Sequence, residues 1–267
     1  MSRELRQLDI EHLWHPYTDI SSFEQSDFPI IERAQGPWLY DIDGRALLDG
    51  ISSWWCVNLG HSHAKLVAAI QQQAADLQHT LLGGVSHPQA IKLAARLAEI
   101  TPGGLDHAMF AADGSLAVEA ALKIALQYWR NVGQPQRTGF LCLTDGYHGD
   151  TLGTIGVGYV ATFHDNFASA IHKAPAACSP DCARCPCGLT PESCDVECFD
   201  SMRKLIAQHH ERTAAVIVEP LCQAGGGMRI YPEEYLRRLR DECDKHGLLL
   251  IADEIAVGFG RTGAMFA

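Results

Sequence analysis

The sequence predicts an α/β fold in which a mainly parallel sheet is covered by helices and preceded by a small antiparallel meander. Three observations carry this reading. From about residue 105, short apolar runs alternate with helical stretches, the order that builds parallel strands joined by crossover helices. The run 248–252, LLLIA, has no polar residue, which suits a strand buried on both faces. Residues 28–49 alternate apolar and polar, with turn signals at Gln35-Gly36 and Asp43-Gly44, as in consecutive hairpins.

Taken in order, residues 1–27 read as an irregular arm with at most one helical turn around Glu11–Trp14, because Trp14-His15-Pro16-Tyr17-Thr18 is stiffened by proline. After the meander, Trp54 and Trp55 are adjacent. On an extended chain they face opposite sides, one packing inward and the other free to line a cavity. Amphipathic helices are expected near 62–78 and 87–100, with Gly83-Gly84 between them. Strands are then expected at 107–111, 140–143, 214–218 and 248–252, and helices near 115–131, 199–210 and 232–246. The last helix is the best punctuated. Pro232 opens it and Gly247 follows it. Tyr235, Leu236, Leu239 and Cys243 make its apolar stripe, and Glu233–Arg237 and Glu234–Arg238 pair on the wet face. The expected organisation is a segment 1–50, holding arm and meander, and a larger domain 51–267.

Composition narrows the function. Apolar and charged fractions of 47% and 20% are those of a soluble globular chain. A net charge of −11 argues against general binding to nucleic acid or anionic membrane. No apolar run reaches the length of a membrane span, and the amino terminus lacks the apolar core of a signal peptide. A cytoplasmic location is the resulting expectation.

Four expected strand ends offer small or polar residues. Asp253 and Glu254 follow 248–252 at the edge where open α/β sheets bind ligands. A carboxylate there can hold a protonated ring nitrogen, or simply cap the next turn. Asp113-Gly114-Ser115 precedes a helix, where free N–H groups suit a phosphate; a plain N-cap is the alternative. Gly146-Tyr147-His148-Gly149-Asp150 follows the strand 140–143 and reads either as a ring platform with polar neighbours or as an exposed turn. Glu219-Pro220 ends the strand 214–218. The convergence of all four at one sheet edge weighs more than any one of them.

DGSLAVEAALKIALQYW, GYHGDT, VEPLCQAGGGM and ADEIAVGFGRTG together resemble the class III aminotransferases, enzymes of pyridoxal phosphate with the fold-type I architecture. The resemblance implies that Gly114 and Ser115 bind the cofactor phosphate, Tyr147 stacks on its ring, Asp253 holds the ring nitrogen protonated and Glu219 fixes the polar network. Arg261 would serve structurally in the GFGRTG turn. LWHPYT and DGISSWW resemble the members that transfer an amino group from S-adenosylmethionine to 8-amino-7-oxononanoate in biotin biosynthesis. In that likeness Tyr17, Trp54 and Asp150 contact the small-molecule substrates, and the protein is a homodimer. A diamine or ω-amino acid aminotransferase is the alternative if Tyr17 and Trp54 only pack. The resemblance places the family's catalytic lysine past the GFGRTG turn, at a position beyond Ala267. The six lysines here, at 65, 92, 123, 173, 204 and 245, all precede that turn. The expectation is therefore an incomplete large domain that does not transaminate alone, with no catalytic residue among residues 1–267.

Six of the ten cysteines, Cys178, Cys182, Cys185, Cys187, Cys194 and Cys198, crowd into an excursion at 178–198. Thiolates at such spacings can hold zinc or an iron–sulfur cluster, or remain as reduced thiols in a loop. A metal-binding or redox module built on them is the rival reading of another class.

Overall fold

The computed structural model describes residues 2–190 and 192–267, which divide into two compact units, the first ending at Pro88. In the first unit, strands β1 (Ile31–Gln35), β2 (Trp38–Asp41) and β3 (Ala46–Leu48) form the expected antiparallel meander, in the order β1-β2-β3. Asp41 ties it together. Its carboxylate accepts the Asp43 and Arg45 amides and the Arg45 guanidinium at 2.5 Å. The arm differs from expectation, since Ser2–His12 is a helix. Arg6 on that helix reaches the Phe28 carbonyl and Asp43, contacts that no local sequence pattern announces.

The first unit also takes in residues beyond the meander. An antiparallel bridge joins Gly36 to His61, and the Ser62 hydroxyl donates to the Ala34 carbonyl at 2.8 Å. These bonds hold 51–62 on the meander. The Ser52–Trp55 segment is not extended. All four residues have φ between 46° and 63°, one turn of left-handed helix, a conformation costing roughly 1–2 kcal/mol per residue for L-amino acids. Trp54 is exposed and Trp55 half-buried, so the two rings part as expected, although by a turn rather than by strand alternation.

In the second unit, β4 (Gly139–Leu143), β5 (Ala176–Ala177), β6 (Thr213–Val218) and β9 (Leu249–Ala252) form a parallel sheet in the order β5-β4-β6-β9. Between β6 and β9 the chain makes a short hairpin, β7 (Cys222–Gln223) with β8 (Arg229–Ile230). The central strand β6 is buried at every residue, as its apolar sequence requires. One face of the sheet packs Leu141, Leu143, Val216 and Val218 against the helices Phe199–His209 and Glu233–Lys245, through Met202, Ile206, Tyr235 and Leu239. The other face packs Cys142 and Ile217 against Val118 and Leu122 of the helix Gly114–Asn131. Trp129, near the end of that helix, donates its indole N–H to the Ala214 carbonyl at 2.7 Å. The helix axis is thereby pinned to the sheet at its far end, which places its N-terminus at the carboxyl edge of the strands.

The expected strand 107–111 does not form: no strand among the described residues pairs with it, and Met109 and Phe110 are exposed. Its apolar pattern is that of a strand, but a strand exists only through a neighbour's hydrogen bonds.

Candidate active site

Polar residues collect where β4, β6 and β9 end. The β4 strand stops at Leu143 because Asp145 turns into the left-handed region, at φ 55°, and the chain then runs through Gly146 to Asp150 across the strand ends. The Tyr147 amide donates to Glu219 Oε1 at 2.9 Å, and the Ala224 amide donates to Oε2 at 2.9 Å. Glu219 therefore holds both the 146–150 loop and the glycine-rich 224–227 loop. That second loop lies so close that a Cβ on Gly225 would sit 2.4 Å from the Tyr147 Cβ. Burial pushes the Glu219 carboxyl up to about 7; the two amide bonds and His148 oppose the rise, and the nearby Asp253 adds to it.

Asp253 lies at the end of β9, buried, with its amide donating to the Val218 carbonyl at 2.8 Å. Its Oδ1 accepts the Ile255 amide at 3.1 Å, and its Oδ2 lies 2.7 Å from His148 Nδ1. His148 thus reaches from the end of β4 across β6 to the end of β9. A carboxylate has about four acceptor positions, so two contacts leave Asp253 with capacity for a ring N–H.

The helix Gly114–Asn131 presents its N-terminus beside this network. Asp113 caps it, accepting the Leu116 amide at 2.9 Å, which is the N-cap reading. The amides of Gly114 and Ser115 have no acceptor among the described residues, so the phosphate reading is compatible with it: capping by Asp113 leaves two donors at a positive helix end. The Ser115 hydroxyl accepts the Asp150 amide at 3.3 Å. Gly149, at φ 120°, allows that approach, since a Cβ there would fall 2.2 Å from Ser115 Oγ. Asp150 accepts the Tyr147 hydroxyl at 2.8 Å and lies 3.3 Å from His164 Nε2, while the His164 and Tyr147 rings lie parallel with centroids 6.0 Å apart.

Gly114, Ser115, Tyr147, Asp150, Glu219 and Asp253 are thus brought into one cluster within the second unit. Tyr17 and Trp54 belong to the first unit, where their rings meet edge to face at 5.7 Å and 75°. Sequence reasoning placed His148 only as a polar neighbour and did not single out Gly225. For His148 the available signal was its position beside Tyr147 in a loop that follows a strand; the Asp253 partner, 105 residues away, had none.

The segment after Asp253 folds back on the strand end. The amide of Ala267 donates to both oxygens of Glu254, at 3.1 and 3.2 Å. Burial raises the Glu254 carboxyl above its ordinary value; the Ala267 amide opposes the rise and Asp253 adds to it. Ala267 is therefore tied to the neighbour of Asp253. None of the six lysines of residues 1–267 makes a hydrogen bond or ion pair with Asp253, Glu219 or His148 in this network. Lys173 instead lies over the Tyr159 ring, 3.2 Å from its centroid.

The six cysteines of the excursion are open to two readings, a zinc or iron–sulfur site and a loop of reduced thiols. None of the six thiols is in a disulfide, and among the described residues no three His, Cys, Asp or Glu side chains are gathered to hold a metal ion. The arrangement of Cys178, Cys182, Cys185, Cys187, Cys194 and Cys198 thus lends no support to the metal reading. Other contacts order the loop. Asp181 accepts the Ala183 and Arg184 amides at 3.0 and 3.1 Å and the Arg184 side chain at 3.0 Å. The Cys182 amide donates to the Ile230 carbonyl at 3.0 Å and the Cys178 amide to Ser201 Oγ at 2.9 Å. Burial, with the neighbouring cysteines adding to it, pushes the Cys198 thiol up to about 12, so it stays protonated at neutral pH.

The fold and this cluster define a class of enzyme. The family model of class III aminotransferases matches residues 21–267, and the chain belongs to that family. Among its relatives, the adenosylmethionine-8-amino-7-oxononanoate aminotransferase of Geobacter sulfurreducens is 41% identical over 267 residues, covering 100% of this chain and 59% of that protein. The enzyme of the same name from Nitratidesulfovibrio vulgaris is 43% identical, covering 98% and 49%. The crystal structure of the Methanocaldococcus jannaschii enzyme of that name superposes with a TM-score of 0.92 at 38% identity, covering 100% of this chain and 58% of that one. The chain therefore spans roughly half to three-fifths of the length of these relatives.

Proposed function

We propose that the protein to which this chain belongs transfers an amino group from S-adenosylmethionine to 8-amino-7-oxononanoate, giving the 7,8-diamino acid of biotin biosynthesis. The observation that carries this reading is the likeness to aminotransferases named for that substrate over essentially the whole chain, at 41% and 43% identity. The edge-to-face Tyr17–Trp54 pair supports it, since both residues remain 58% exposed rather than being consumed in a core.

Pyridoxal phosphate is the cofactor of class III aminotransferases, and the residues present fit it: two unpaired helix N-terminal amides for the phosphate and a buried carboxylate for the ring nitrogen. When bound, it supplies an electron-withdrawing ring that stabilises negative charge developing at the amino-bearing carbon. In this reading Gly114 and Ser115 anchor the phosphate through their N–H groups and the positive end of the helix. Asp253 holds a proton on the ring nitrogen, because an anionic partner in a buried site favours the charged form. His148 keeps that carboxylate aimed, as its 2.7 Å contact fixes Oδ2. Glu219 holds Tyr147 and the 224–227 loop in place, and Asp150 orients the Tyr147 hydroxyl. Tyr17 and Trp54 line the binding surface for the long keto acid and the sulfonium donor, an aromatic face being well suited to a cation. The lysine that carries the proton in this chemistry is, in the same reading, none of the six at 65, 92, 123, 173, 204 and 245.

The proposal includes a homodimer, as the motif likeness implies, and a cytoplasmic location, the expectation from composition and the amino-terminal sequence. Among the described residues no helix is long and apolar enough to cross a membrane. The decisive experiment is turnover by the full-length protein with S-adenosylmethionine and 8-amino-7-oxononanoate, following the diamino product by mass. Turnover of diamines or β-alanine with no response to S-adenosylmethionine would refute the substrate assignment. Light scattering that finds an active monomer would refute the dimer. Residues 1–267 by themselves should show no turnover, and a stoichiometric borohydride-reduced adduct on one of their six lysines, with turnover, would refute the placement of the lysine.

A further inference from the structure

The left-handed turn that carries Trp54 requires an explanation, because it is built without glycine. Ser52, Ser53, Trp54 and Trp55 have φ values of 50°, 46°, 56° and 63°. L-residues avoid that region, and such backbone persists only where its surroundings over-determine it. Main-chain bonds close the turn, from the Trp55 amide to the Ile51 carbonyl and from the Val57 amide to the Ser52 carbonyl, both at 3.1 Å, with the Ser52 amide on the Asp49 carbonyl at 3.3 Å and the Cys56 amide also on the Ser52 carbonyl. One side chain adds a further hold inside the run. Asp49 Oδ1 accepts the Ser53 amide at 2.9 Å, and Oδ2 accepts the Ser53 hydroxyl at 2.8 Å.

Asp49 is itself fixed from the other side. Its amide donates to the Pro37 carbonyl at 2.9 Å, and its Oδ2 lies 2.7 Å from His61 Nε2. The His61 main chain exchanges two bonds with Gly36, at 2.8 and 3.0 Å. Gly60 allows that approach, since a Cβ there would sit 3.2 Å from the Gly36 Cα. The Asp49 side chain is nearly buried, at 5% exposure. Hydrogen bonds from Ser53 and His61 hold its carboxyl down to about 2, so it is an anion throughout any assay range. The strained turn is therefore tethered to the hairpin corner at Gly36 by the Asp49–His61 pair.

The geometry points to Asp49, seated by His61, as a positioning residue that fixes the turn on which Trp54 meets Tyr17, and through it the substrate-facing aromatic wall. This rests on the proposed reading of Tyr17 and Trp54 as substrate contacts. The Ser53 bonds are the ones that matter. They fall on the residue preceding Trp54, inside the left-handed run, where losing them lets the backbone relax towards ordinary φ values and swings the indole away.

The test is a double-mutant cycle in the full-length protein, with steady-state kinetics for 8-amino-7-oxononanoate and near-ultraviolet circular dichroism. Asp49→Asn is expected to raise KM about tenfold with kcat within about twofold, a coupling of ordinary size for directly bonded groups. It should also change the aromatic dichroism. In a Trp54→Ala background Asp49→Asn should add nothing further to KM. Adding Ser53→Gly to Asp49→Asn should recover much of the loss, because glycine adopts positive φ at no steric cost. An unchanged KM in Asp49→Asn, or an equal rise in KM with and without Trp54, would overturn the positioning role. If Trp54→Ala alone left KM unchanged, the substrate-facing reading would fail first, and the cycle shows that separately. Should Asp49→Asn not fold, Ser53→Ala, which removes only the hydroxyl bond, must show the same KM-only pattern at smaller size, and a fall in kcat alone would refute the idea.

Discussion

Glu219→Gln isolates the most perturbed carboxyl of the candidate site. Burial raises the Glu219 carboxyl from its ordinary 4.5 to about 7. The folded protein therefore keeps its proton to higher pH than the unfolded chain does. Below about 4.5 both states are protonated and the group contributes no pH dependence. As pH rises from there towards 7, the unfolded chain ionises first and is favoured, so wild-type stability falls; above about 7 the effect levels off. At about 1.4 kcal/mol per pH unit the total loss is on the order of 3 kcal/mol.

The Gln variant has no such pH dependence but has a constant cost. Glu219 offers two oxygens to two amides, Tyr147 and Ala224, whereas an amide side chain offers one oxygen and turns its NH2 towards the second donor. Leaving that donor unsatisfied costs about 1–3 kcal/mol. The variant should therefore be clearly less stable than wild type at about pH 5 and nearly equal to it, or more stable, at about pH 8. Urea unfolding of both proteins at several pH values across that range measures this. Titrating groups remote from the site cancel in the difference, whereas His148 and Asp253, which act on Glu219 electrostatically, belong to the response being measured. A wild-type-minus-variant gap that stays constant from about pH 5 to about pH 8 would show that Glu219 is not held protonated by burial.

Gly149→Ala should destabilise by roughly 1–3 kcal/mol, since its Cβ would meet Ser115 Oγ at 2.2 Å with φ at 120°; a thermal melt reads it, and Ser115→Gly in the same chain should relieve part of the loss. His148→Leu should cost about 1–3 kcal/mol by stripping Asp253 of its 2.7 Å partner, with His148→Asn, which keeps a polar atom near the Nδ1 position, losing less; equal losses would place the effect in packing rather than in the hydrogen bond. Asp181→Ala should free the cysteine excursion, raising hydrogen exchange at Ala183 and Arg184, whose amides it accepts at 3.0 and 3.1 Å. A local loss of about 1–2 kcal/mol is the scale of a lost cap, and unchanged exchange would show that the loop is ordered by something else.

Much of the second unit was legible in the sequence because its signals are local. The apolar run of β6, the punctuated helix Glu233–Lys245 and the post-strand positions of Glu219 and Asp253 follow from periodicity and turn chemistry within a few residues. The expected helices and strands of that unit mostly appear within a residue or two of their expected bounds. The resemblance in its motifs then named the residues that the fold gathers.

What the tertiary structure alone decided depends on partners far apart in the chain. The stretch 107–111 has a strand's composition but no neighbour among the described residues to pair with, and composition does not supply hydrogen bonds. Residues 2–12 carry too weak an apolar stripe to announce a helix, and it is Arg6 reaching Phe28 and Asp43 that seats them. Four left-handed residues at Ser52–Trp55 contradict their own propensities, and Asp49 and His61, brought together by the meander, add to the local main-chain bonds that hold them there. His148 finds Asp253 because the strand order places β6 between β4 and β9, a distance one imidazole spans. Local propensity chose the elements; long-range hydrogen bonds, which no short window of sequence contains, chose the conformations at the sites.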